Sequence, residues 1–71
     1  MKPSIAEVLQ EASAWADMRG VEAVGQGMRD GQDCLEVLVS DEDVVARLPV
    51  QFRGYRVFIT RSEPLQAQRT P

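Results

Sequence analysis

The dipeptide Asp30-Gly31 stands between two runs of strand-forming residues, Val21-Glu22-Ala23-Val24-Gly25-Gln26-Gly27-Met28 and Asp33-Cys34-Leu35-Glu36-Val37-Leu38-Val39. A two-residue type I′ turn needs positive φ at both central positions. Asp-Gly meets that need at little cost, so the arrangement predicts a β-hairpin. With Asp30 and Gly31 at the centre, Arg29 pairs with Gln32, Gly27 with Cys34, Gln26 with Leu35 and Val24 with Val37. Alternation along the strands then sorts the side chains. Val24, Leu35, Val37 and Val39 share one face and read as core. Ala23, Gly25, Gly27, Cys34, Glu36 and Leu38 share the other. A longer loop would shift this register and exchange the faces.

Before the hairpin, Ser4-Ile5-Ala6-Glu7 has the form of a capping box, and Ile5, Val8, Leu9, Ala12, Trp15 and Ala16 recur at helical spacing. Gly20 supplies a left-handed stop, so a helix is expected over residues 5–19. After the hairpin, Ser40 is placed to cap a short second helix. Asp41, Glu42 and Asp43 favour its positive end, and Pro49 stops it. Tyr55-Arg56-Val57-Phe58-Ile59-Thr60 reads as a third strand from its β-branched and aromatic content.

The element order is α-β-β-α-β. It predicts a two-layer α+β domain with a three-stranded sheet and two helices. A crossover that skips one position gives the sheet order 2-1-3, with the first strand central. Direct parallel pairing of the third strand with the second is the alternative. Residues 1–60 form the expected single domain, and 61–71, with Pro64 and Pro71, a flexible C-terminal tail.

The chain has 71 residues, no His and one Cys. A Ser-His-Asp device, an internal disulfide and a zinc cluster of the usual ligands are all excluded within one chain. Gly25-Gln26-Gly27-Met28-Arg29-Asp30-Gly31 lacks the GxGxxG spacing and leads into a strand rather than a helix, so it is not a phosphate loop. Its strand glycines mark a bulge or the close approach of another backbone. Asp41, Glu42 and Asp43 lack the spread of an EF-hand loop and read as a helix start. No catalytic, cofactor-binding or metal-binding residue is assigned, and an enzyme is not expected. No apolar run reaches the roughly 18 residues of a membrane span, and Glu7, Gln10 and Glu11 interrupt any leader-like stretch. The expectation is a cytoplasmic protein with a reduced thiol and no membrane contact.

Charge is divided along the chain. Residues 1–46 carry ten acidic and three basic residues, a net −7, whereas residues 47–71 carry five arginines and Glu63, a net +4. In the basic part, Phe52-Arg53-Gly54-Tyr55-Arg56-Val57-Phe58-Ile59-Thr60-Arg61 interleaves arginines with aromatics, the composition of a single-stranded nucleic-acid platform. Binding of single-stranded nucleic acid or a phosphorylated ligand through Arg53, Arg56 and Arg61 is therefore one reading. The net charge of −3 opposes it. Tyr55, Val57 and Ile59 also share one strand face suited to the core.

The stronger reading concerns the other sheet face. There Cys34, Glu36 and Leu38 join Arg56 and Phe58 in a partly apolar surface flattened by glycines. Below roughly 70–80 residues one core supplies only about 3–5 kcal/mol, so association is an available source of stability. Cys34, Glu36, Leu38, Arg56 and Phe58 are thus the expected interaction surface of a small noncatalytic module. Its partner is expected to be a second copy, as a homodimer or higher homo-oligomer, or another protein. Coverage of this face by the first helix is the competing arrangement.

Residues 20–59 resemble small uncharacterised bacterial α/β proteins and the segment that precedes some bacterial trypsin-like protease domains. The resemblance is carried by Gly20-Val21-Glu22-Ala23-Val24-Gly25-Gln26-Gly27, Cys34-Leu35-Glu36-Val37-Leu38-Val39, Leu48-Pro49 and Gly54-Tyr55-Arg56-Val57. It implies a small α/β module with no assigned catalytic residues. No protease machinery carries over to a chain without His.

Overall fold

In the computed structural model, which describes residues 2–62, one α-helix and two 3-10 helices pack on a four-stranded mixed sheet. The helix α1 spans Ile5–Ala12. The Ser4 hydroxyl accepts a hydrogen bond from the Glu7 N–H at 3.3 Å, as the capping pattern requires. Regular α-geometry ends seven residues before the predicted last helical residue, Arg19, and Ser13–Asp17 continues as a 3-10 helix. The Ser13 hydroxyl donates to the Gln10 carbonyl at 2.7 Å, a side-chain competitor for the helix backbone. Trp15 then meets Phe52 edge to face, with ring centroids 4.9 Å apart.

The hairpin forms in the predicted register. Strand β1 covers Val21–Arg29 and β2 covers Gln32–Val39. Arg29 lies opposite Gln32, Gly27 opposite Cys34, Gln26 opposite Leu35 and Val24 opposite Val37. Asp30 and Gly31 have φ of 55° and 77°, the positive pair that a type I′ turn demands. A bulge between Val21 and Ala23 leaves Glu22 as an extra residue at the start of β1.

After β2, Glu42–Arg47 is a 3-10 helix rather than an α-helix. Its cap is Asp41, whose carboxylate accepts from the Asp43 N–H at 3.0 Å, and not Ser40, whose N–H bonds to the Gly20 carbonyl at 2.8 Å. A short strand β3, Gln51–Phe52, leads through Arg53 and Gly54 into β4, Tyr55–Arg61. These two turn residues also have positive φ, 53° and 91°.

The strand order is β1-β2-β4-β3, which corrects the expected order 2-1-3 and its three strands. β4 pairs in parallel with β2, placing Leu35 beside Val57 and Val37 beside Ile59, so β2 is central and β1 is an edge. The physical reason lies in composition. β2 buries Cys34, Leu35, Val37 and Val39, whereas β1 carries two glycines and exposes Glu22, Ala23, Gln26, Met28 and Arg29. A strand apolar on both faces gains more from the centre, and a glycine-rich, polar one loses least at the edge.

The core lies between the helical layer and one sheet face. Val8, Ala12, Leu35 and Val39 are completely shielded from solvent, and Val37, Val57, Tyr55, Val44 and Leu48 are buried with them. Full burial of a side chain such as Val8 or Leu35 contributes about 1.5–3 kcal/mol. Val24 is half-buried against this cluster, so the predicted core face is the helix-covered one. None of the helices is long and apolar enough to cross a membrane among the described residues. Most of the expected C-terminal tail lies outside the described residues, and Arg61 ends β4.

Candidate functional site

The opposite sheet face collects alternate residues from three strands. β1 provides Ala23, Gly25, Gly27 and Arg29, β2 provides Cys34, Glu36 and Leu38, and β4 provides Arg56, Phe58 and Thr60. Register arranges them in rows. Gly25, Glu36 and Phe58 form one row, and Ala23, Leu38 and Thr60 the next. Among the described residues no helix or further strand lies over this face. Leu38 and Phe58 remain half-buried rather than enclosed. A shallow trough of about 320 Å³ runs between Ala23, Gly25, Glu36, Leu38 and Thr60.

Phe58 is the centre of the charged end. The Arg29 guanidinium lies 4.3 Å and that of Arg56 5.3 Å from its ring centroid, both within cation–π range. Arg29 also pairs with Glu36 at 3.6 Å; both side chains are near half exposure, where such pairs contribute little. Arg29 was not among the sequence candidates. Its signal was present in the hairpin register, which sets residue 29 in phase with Gly25 and Gly27.

Cys34 departs from the expected surface. Its side chain is only 2 % exposed, at a recess of about 70 Å³ lined by Arg29, Arg56 and Phe58. Phase alone placed it on the open face. The long side chains around it remove it from contact, leaving Glu36, Leu38, Arg56 and Phe58 as the accessible members.

Comparison with protein-family models, curated proteins and solved structures returned no match. The site therefore rests on its own geometry.

The three arginines of the anion-binding reading do not converge. Arg53 is in the β3–β4 turn, with its Nε 2.7 Å from the Glu11 carboxylate. Arg61 is at the end of β4 in the opposite phase to Arg56, and its Nε donates to both Glu42 oxygens at 2.8 Å. Hydrogen bonding by Arg61, reinforced by its charge, holds the Glu42 carboxyl below the usual carboxylate range and raises the Arg61 guanidinium in turn. Only Arg56 reaches the open face. Asp41 caps its helix and Glu42 serves Arg61; no group of three or more metal-ligating side chains gathers among the described residues.

Proposed function

We propose that this chain is a small noncatalytic protein-interaction module that self-associates through the part of its sheet left uncovered by its own helical layer. The supporting observation is the open face itself, with Leu38 and Phe58 half-buried on it and a shallow trough beside Leu38. A one-sided sheet with apolar residues on its free side gains free energy when a second surface excludes water from it. The small core gives that gain weight, because about 2 kcal/mol is a large share of the stability of so small a domain. A protein partner takes the same surface. The buried free thiol of Cys34 is compatible with the reducing cytoplasm proposed as its compartment.

Sedimentation equilibrium of the full chain tests the reading. Mass rising from monomer to dimer between low and high micromolar concentration is the expected result. A monomer at every concentration ends it.

A further inference from the structure

Self-association leaves open which part of the sheet meets the second copy, and the backbone phase of β1 decides it. We propose that two copies join edge to edge along β1, antiparallel about a two-fold axis at Gln26, merging two four-stranded sheets into one continuous sheet. This rests on the self-association reading above for the existence of the dimer alone; it moves the contact from the open face to the β1 edge, so that Leu38 and Phe58 lie on a face shared by both copies.

β1 is the outermost strand over nine residues, and among the described residues no strand pairs with its outer edge. Its hydrogen-bonding phase follows from the turn. In a two-residue turn the carbonyl before it accepts from the N–H after it, so Arg29 and Gln32 form a hydrogen-bonded pair. Such pairs alternate in an antiparallel ladder, so the backbones of Gly27 and Gly25 face β2. Those of Val24, Gln26 and Met28 face outward, with free N–H and C=O groups. Exposed strand edges are usually blunted by proline, charge or a bulge. From Ala23 to Met28 this edge carries no proline and no charge, and its one bulge lies earlier, at Glu22.

The same stretch is self-complementary. With Gln26 opposite Gln26 of the second copy, Val24 comes opposite Met28 on the helix side, twice by symmetry. Met28 is 65 % exposed in the isolated chain, and this pairing covers it. On the open face Gly25 comes opposite Gly27 of the second copy; the space over Gly25 is empty, and the Glu36 side chain lies over Gly27. Arg29 comes opposite Ala23 of the second copy, at the two ends of the uncharged stretch. A one-residue slip would send Val24 and Met28 to opposite faces and lose this match.

Two variants and the wild type provide the test. Gln26→Pro removes an outward N–H and leaves the ladder to β2 intact, since edge strands accept proline on their solvent side. It is expected to keep the wild-type circular dichroism spectrum and weaken dimerisation at least about tenfold by sedimentation. Independently, Gln26→Cys in a Cys34→Ala background is expected to cross-link on oxidation, because hydrogen-bonded antiparallel pairs bring Cα atoms within about 5.5 Å, inside disulfide range. Thr60→Cys in the same background, on the open face, is expected to stay uncrosslinked. A wild-type dimer without cross-linking at Gln26 overturns the edge arrangement while leaving self-association standing, and cross-linking at Thr60 then puts the contact on the open face. A wild-type monomer removes both. Should Gln26→Pro fail to fold, the cross-linking pair decides alone.

Discussion

The side chain of Glu36 lies across the backbone of Gly27, in the space that a β-carbon there would occupy. From that position its carboxylate reaches Arg29. Gly25, one step along the same face, has no such neighbour. Neither glycine has positive φ, so alanine is sterically compatible with both backbones. Gly25→Ala is therefore expected to raise stability by about 0.4–1 kcal/mol through the unfolded chain. Gly27→Ala is expected to fall near zero, because displacing the exposed Glu36–Arg29 pair offsets that gain. Urea midpoints of the two variants check this; equal gains would show that Glu36 does not depend on the glycine.

Gly31 isolates the conformational side of the hairpin. It has φ of 77°, and a β-carbon on it would touch nothing within 4 Å. Gly31→Ala is expected to lower stability by about 1–2 kcal/mol from left-handed backbone strain alone. Chemical denaturation measures the loss, and an unchanged midpoint would mean that the turn relaxes to another type.

Tyr55 ties the start of the chain to the sheet. Its hydroxyl donates to the Pro3 carbonyl at 2.8 Å, and the Lys2 ammonium sits 4.2 Å from its ring centroid. Tyr55→Phe keeps the ring and removes the hydrogen bond, with an expected loss of about 1 kcal/mol. Amide exchange at residues 5–8 is expected to quicken as well, and unchanged exchange there would argue that the bond does not anchor α1.

The Glu42–Arg61 pair predicts a pH response. The folded-state pKa of Glu42 lies below its ordinary 4.5, so the folded chain releases this proton more readily than the unfolded one. Its contribution is present above the unfolded value and is lost as pH falls through the folded value. Both side chains are more than half exposed, so the effect is small and screened by salt. Glu42→Gln is expected to lower Tm slightly at pH 7 in low salt, and the difference from wild type is expected to shrink as pH falls below the ordinary carboxylate range or as salt rises to about 1 M. A difference that persists in acid would point to packing instead.

Local chemistry made the hairpin legible, and long-range pairing escaped it. Asp30-Gly31 determined a turn, the turn determined the register, and the register assigned Leu35, Val37 and Val39 to the core and Glu36 and Leu38 to the open face, while the alternation of Tyr55, Val57 and Ile59 put Phe58 there. The order of strands depended instead on where β4 lies along β2, a choice between two edges that no short motif encodes. The depletion of apolar residues in β1 was the available signal. The same kind of blindness hid β3, whose turn at Arg53-Gly54 lacks the usual Asp or Asn first residue. It also left Cys34 on the surface, since burial by neighbouring arginines is a matter of side-chain length rather than strand phase.

The central position of β2 also sets a timetable for folding. One neighbour, β1, arrives through a two-residue turn, and such hairpins close in about 1–10 μs. The other, β4, pairs Val57 with Leu35 at a sequence separation of 22, and that closure is entropically dearer. The hairpin is thus available as a template before its second partner docks. Substitutions at Val57 or Ile59 should then slow refolding more than those at Val24, because they act on the rate-limiting docking step. During synthesis the same delay leaves β2 waiting with one side unpaired until residues 55–61 have left the ribosome.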